Sequence, residues 1–292
     1  MTYTLFNLTY ELAVELGVVY EGEATSGTGS TLVDTNDLTQ ADDYWVGGTV
    51  WILDDAAGAG ALPEGECSKI SAFDNGTSTA TFDAINIVSG GDRYGIADKR
   101  YTLYTLIQSV NRALRDIRIE TTDTTTIDTA ASQTEYTLPD VASMDLREVW
   151  VETSTANSDD NRWVEIRNWI IQKTATSTED ELILPMQLTI SRDIKLVYMA
   201  PHGKLYDFAD ELDDSVHLER VIFRAAWYAM NRNIQQTHST DEWLLRTRDD
   251  YMKWAQEADW RYPIAGPQKK GKILTVDWGA GDYDPAPGEN TI

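Results

Sequence analysis

Three histidines, one cysteine and a few adjacent acid pairs are the residues of this 292-residue chain whose types could carry reaction chemistry. His202, His217 and His238 form no HExxH and no other metal-ligand spacing, so each reads as a surface or loop histidine. Cys67 falls in a strand candidate with no histidine near it in sequence, which reads as a small core residue. Asp42-Asp43 and Asp54-Asp55 supply paired carboxylates of the kind a glycosidase uses. Adjacent residues of one strand point to opposite faces, however, so neither pair converges on one substrate atom. The run SGTGST has the glycines of a phosphate loop without its Lys-Ser/Thr or its following helix. No catalytic constellation, metal site or cofactor is expected, and the reading is that of a non-enzyme.

Residues suited to meeting a partner are easier to find. Arg112, Arg115 and Arg118 fall in a basic stretch, 99–118, that holds five bases and one acid. Residues 22–96 hold twelve acids and two bases, so a basic helix is expected beside an acidic module. Strand alternation in REVWVET and RWVEIRNWIIQ places Trp150, Trp163 and Trp169 among charges, opposite Val149, Val151, Val164, Ile166 and Ile170. Such tryptophans either stack on sugars or are buried beneath a helix or a neighbouring subunit, and burial is the favoured expectation. Lys269, Lys270, Lys272 and Trp278 form a further contact candidate in the Gly-, Pro- and Asp-rich end of the chain.

The balance of 48 acidic to 24 basic residues, net −24, opposes general nucleic-acid binding, which draws its affinity from neutralised phosphates. No stretch approaches the roughly 20 apolar residues of a membrane span. The start of the chain lacks the basic and apolar regions of a secretory signal, and a lone cysteine fits assembly in a reducing cytoplasm.

Elements must position these residues. Leu5, Leu8, Leu12 and Leu16 mark a first helix over about 3–16, and Leu103, Leu106, Ile107, Val110, Ala113, Leu114 and Ile117 mark a second. Between them GSTLVDT, YWVGGTVWIL, ECSKISAF, TSTATF and AINIV read as short strands, ADDYWVGGTVWI as a hairpin, and Asp74-Asn75-Gly76 as a hairpin turn. Residues 121–135 read as a connector, followed by a second β region. Asp213–Ser215 are expected to cap one C-terminal helix, and Ser239 with Glu242 to form the capping box of another. The expected fold class is α+β, with a helical bundle core made of the N-terminal helix, the central helix and a C-terminal helical hairpin. The core would comprise 1–21, 97–121 and 206–262, with a small β-barrel or sandwich inserted at 22–96, a second β region at 122–205 and an extended tail at 263–292.

This order of elements resembles the head-to-tail adaptor (neck or connector) proteins of tailed double-stranded-DNA bacteriophages. TSGTGSTLVDTNDLTQADDYWVGGTVWI, continuing to ALPEGECSKISAFD, looks like a β module of phage virion proteins, and YTLYTLIQSVNRALRDI is similar to the helix that follows it in such adaptors. The resemblance covers the first 120 residues best. It implies a homo-oligomeric ring of about twelve copies in the virion neck, attached to the portal protein and to the downstream tail or nozzle proteins. DNA would pass through its lumen without specific binding, and no membrane would be involved. A carbohydrate-binding or tail-associated β module is the alternative reading, and a glycan hydrolase a third.

Overall fold

The computed structural model describes residues 2–58, 60–128, 133–138, 145–152, 163–174, 180–187, 192–264, 266 and 272–276. Among them are fifteen strands in three sheets and only four helices, so the expectation of a helical bundle core carrying a small β insert is corrected: the chain is mostly β. The helical period is loud in the sequence, whereas many of the strands are short, polar and paired across long separations, and leave a weaker signal. The chain divides into two compact units, Met1–Ile117 with Pro201–Ile264, and Arg118–Ala200 with Ala265–Ile292.

In the first unit α1 (Leu5–Glu15) starts at a capping box in which the Thr4 side chain and Asn7 satisfy each other's backbone N–H groups. Seven strands follow: β1 (Val19–Glu23), β2 (Ser26–Thr28), β3 (Thr31–Val33), β4 (Thr49–Asp54), β5 (Cys67–Asp74), β6 (Thr79–Phe82) and β7 (Arg93–Ala97). They form one antiparallel sheet in the order β1-β7-β4-β5-β6-β3-β2. Its first and last members are consecutive in the chain, so the sheet curls around a core that includes Leu32, Trp45, Ile52, Ile70, Phe82 and Tyr94. Because Val19 pairs with Ala97, the chain leaves the sheet beside the point where it entered.

ADDYWVGGTVWI is not a hairpin. Gly47, at φ 85°, closes a turn, and Gly48 lies so near the Ala97 carbonyl that a Cβ would sit 1.9 Å from it. Strand β4 begins only afterwards. Trp45, before the glycines, packs in the sheet's core, whereas Trp51, after them, is buried against α1, where its indole lies 6.0 Å edge-on from Tyr10 and its Nε1 donates to Thr9. AINIV is loop rather than strand, and Arg93–Ala97 supplies the strand in its place.

The remaining helices are α2 (Leu103–Asp116), α3 (Leu218–Thr237) and α4 (Glu242–Arg261). Helix α3 packs against α1, α2 and α4 through a row that includes Val221, Ile222, Ala225, Ala229 and Met230. Its N-cap is His217 rather than Asp213–Ser215, which instead form a turn of their own. Asp241 caps α4, accepting from the Trp243 N–H, in place of the expected Ser239.

The second unit holds two four-stranded sheets over one core. One has the order β11-β10-β14-β8, from β8 (Arg118–Asp128), β10 (Leu146–Glu152), β11 (Trp163–Ile166) and β14 (Asp193–Pro201). The other, β15-β12-β13-β9, is built from β9 (Glu135–Thr137), β12 (Ile170–Thr174), β13 (Glu181–Ile183) and β15 (Lys272–Val276). The expected connector is thus largely the eleven-residue strand β8, whose threonines are β-branched and suit a strand despite lacking apolar alternation. RWVEIRNWIIQ is two strands in different sheets, broken at Asn168 with φ 62°. Part of the expected tail, Lys272–Val276, pairs in parallel with Ile170–Thr174.

Candidate functional site

The residues considered for catalysis all hold structure. The His202 Nε2 accepts the Asp213 N–H, which leaves its Nδ1 to donate to the Gly203 carbonyl. His217 accepts from the Glu219 N–H and stacks on Tyr262 at 3.5 Å, and His238 ends α3 in the left-handed conformation. Burial pushes the Cys67 thiol far above its ordinary range, the inert state of a core cysteine. Asp54 is exposed while its neighbour Asp55 is buried and accepts the Ala57 N–H, so the pair diverges. SGTGST is a tight hairpin joining β2 and β3. Among the described residues no group of three or more His, Cys, Asp or Glu could hold a metal, and no helix is long and apolar enough to cross a membrane.

The interface candidates separate. Arg118 opens β8 in the second unit, 3.7 Å from Asp145, and so does not share the helix of Arg112 and Arg115. Trp169 belongs to the second unit's core and is fully buried, because the break at Asn168 resets the alternation that placed it outside. Val164, expected inside, is exposed. Trp150 and Trp163 stay half-buried on adjacent strands, and the Trp150 indole donates to Glu148. Lys272 begins β15. Lys269, Lys270 and Trp278 lie outside the described residues.

Arg112 and Arg115 are brought together with groups from elsewhere in the first unit. The polar side of α2 faces the polar side of α3 across a groove of about 470 Å³ lined by Arg112, Arg115, Lys204, Tyr228, Arg232 and the amides of Gln108, Asn111, Asn231 and Gln235. The apolar stripe of α2 packs inward, which leaves this face open. Asn111 places Lys204: its side chain donates to the Leu205 carbonyl and accepts the Leu205 N–H, at 3.0 and 2.8 Å. The Arg112 guanidinium lies 4.5 Å above the Tyr228 ring, and Arg232 lies 5.6 Å from Tyr104. Tyr228 donates to Asp116; burial and that carboxylate raise its phenol above the ordinary range, against the opposing pull of Arg112.

The groove differs from the rest of its unit in how its arginines are matched. Arg93, Arg100, Arg220, Arg224, Arg246, Arg248 and Arg261 each hold a carboxylate at 3.6 Å or closer. Among the described residues Arg112, Arg115, Arg232 and Lys204 hold none. Sequence reading found the first two and missed Lys204, Tyr228 and Arg232. The signal available for α3 is its i, i+3, i+4, i+7 row Tyr228, Asn231, Arg232 and Gln235, a polar stripe opposite the more conspicuous apolar one.

A second exposed set lies on α4, where Trp243 and Trp260 are 68% and 88% exposed. Compared with known proteins by sequence, the chain matches no family model and has no significant match among curated proteins.

Proposed function

We propose that this chain is a structural protein of a virion, a ring-forming head-to-tail adaptor that joins the portal to the tail of a tailed double-stranded-DNA bacteriophage and forms part of the DNA channel. One observation carries the reading: the first unit presents unpaired arginines in one groove and exposed tryptophans on α4, the residue types that supply most binding energy in protein–protein contacts. The likeness of the first 120 residues to head-to-tail adaptors directs the partner toward other virion components. Net charge of −24 suits a wall along which duplex DNA slides, because a surface that repels phosphates offers no sticking points to multiply around a ring. Light scattering and negative-stain imaging of the full chain, alone and with portal, test the proposal. Closed rings, formed alone or on the portal, are the expected result; a protein that stays monomeric and ignores portal overturns it.

Sugar binding is a second reading with an observation of its own. Register places Trp150 opposite Glu165 and Trp163 opposite Glu152, so two half-buried tryptophans share a sheet face with two carboxylates. A glycan array and fluorescence quenching by sugars test it, and a silent array removes it.

A further inference from the structure

We propose that the groove between α2 and α3 receives the acidic corner formed by Asp42, Asp43 and Asp74 of a second copy of this chain, joining copies head to tail. The inference rests on the reading of the chain as a self-assembling protein and names the surfaces that assemble it.

The chain holds 48 acids to 24 bases, and every other described arginine of the unit has a carboxylate partner within it. Three arginines and a lysine gathered without one repel each other, a cost that an arriving anion relieves. Guanidinium groups also present paired N–H donors that match a carboxylate in two bonds.

Asp42, Asp43 and Asp74 are exposed and hold no cation among the described residues. Two contacts gather them: the Asp43 N–H donates to the Phe73 carbonyl at 3.0 Å, and the Asn75 N–H donates to Asp42 at 2.8 Å. Asp74 in turn closes its own hairpin end by accepting from the Gly76 N–H and the Thr77 hydroxyl. The carboxylates are therefore presented on a braced turn, which reduces the ordering cost of docking.

Groove and corner are different patches of the same compact unit, so each copy can give one and take one. Such a heterologous contact builds a ring when the rotation closes. Copies of net charge −24 repel at a distance, but that field is screened beyond about 8 Å at physiological salt, while charges in contact keep their attraction. A nucleic acid also supplies anions, but a chain with 48 acids to 24 bases repels a phosphate backbone over most of its surface, whereas a corner of three carboxylates need meet only the groove.

The test uses the full chain in three forms: wild type, the groove variant Arg112→Glu/Arg115→Glu/Arg232→Glu, and the corner variant Asp42→Lys/Asp43→Lys/Asp74→Lys. Sedimentation velocity should show self-association weakened at least about tenfold in each variant alone and restored to near wild type in their equimolar mixture. A natively folded groove variant that still assembles overturns the proposal while leaving the adaptor reading intact. A mixture that fails to recover, with both variants melting as the wild type does, also overturns it. So does a 20-bp duplex that binds wild type and not the groove variant while self-association is unchanged, which would make the occupant a nucleic acid. A wild type that never associates, with or without portal, removes this proposal and the adaptor reading together.

Discussion

Helix α3 carries arginines on two sides, and they live differently. Toward α4, Arg220 and Arg224 both grip Asp259, at 2.8 and 2.6 Å, with side chains only 12% and 15% exposed. Toward α2, Arg232 looks into a groove that already holds Arg112, Arg115 and Lys204 and meets no carboxylate among the described residues. The first side fastens two helices of one chain. The second has the same chemistry without its counter-charge, which is the form a surface takes when the counter-charge comes from outside. Carboxylates repeat the contrast. Asp34, fully buried, accepts the Tyr94 hydroxyl at 2.7 Å and the N–H groups of Asn36 and Asp37, while Asp42 and Asp43 face solvent at the corner.

The hardest test of the contrast is Asp259→Ala. It strands two little-exposed guanidinium groups and should cost about 3 kcal/mol in urea unfolding, toward the low end for breaking a buried pair because Asp259 itself is 32% exposed. Changing Arg220, Arg224 and Asp259 together to apolar residues of similar volume should recover most of that loss, since the desolvation cost goes with the charges. A single Asp259→Ala variant as stable as wild type would mean that the two sides of α3 do not differ.

Next in size is Tyr94→Phe, which leaves Asp34 one donor short and should cost about 2 kcal/mol. Burial, then the hydrogen bond to Asp34, raises the Tyr94 phenol above its ordinary range. A group whose folded pKa is raised contributes stability that is whole below its unfolded pKa, about 10, and is lost as pH rises above that value. Burial raises Tyr10 and Tyr251 in the same direction. Wild type should therefore weaken in alkali, and Tyr94→Phe should weaken less steeply there. Urea midpoints taken from pH 8 to 11 give both slopes.

On the open side the expected change in stability is small and of opposite meaning. Arg115→Gln should move the unfolding free energy by no more than about 0.5 kcal/mol, as for an exposed surface residue without an internal partner. Arg112→Gln and Arg232→Gln should each cost slightly more because they give up the contacts with the Tyr228 and Tyr104 rings. A loss as large as that of Asp259→Ala would show that these cations serve the fold itself.

What could be read in the sequence was local. The stripes of α1 and α2 stand out because leucines repeat at the helical period, and the Asp74-Asn75-Gly76 turn because those residue types favour turns. The mostly β balance did not stand out, since β8 reads TTDTTT and lacks an apolar rhythm even though each threonine is branched at Cβ. Trp169 was misplaced by one residue's conformation, the left-handed Asn168, which no alternation count contains. The groove was half legible: Arg112 and Arg115 mark a polar helix face, but Tyr228 and Arg232 lie more than 100 residues away, and only tertiary packing brings them opposite.

The smallest expected effect concerns the loop that leads into α3 and so sets where its open side begins. Asp210 accepts the N–H groups of Tyr206 and Asp207, and these bonds hold its carboxyl below the ordinary range. Asp213 is lowered chiefly by the Ser215 hydroxyl, which outweighs its partial burial. A carboxylate lowered in the folded state contributes stability that is present above its unfolded pKa, about 4, and is lost as pH falls through the folded value. Between pH 5 and pH 3 the 206–216 loop should loosen before the sheets do, seen as amide exchange rising first there and at the start of α1, whose Leu5 and Phe6 N–H groups donate to the carbonyls of Asp210 and Phe208. Asp210→Asn should flatten that dependence while leaving the Arg220–Asp259–Arg224 contact protected. Loss of that contact in the same pH step would mean that the loop and the paired side of α3 open as one unit, and the contrast between its two sides would then be one of exposure alone.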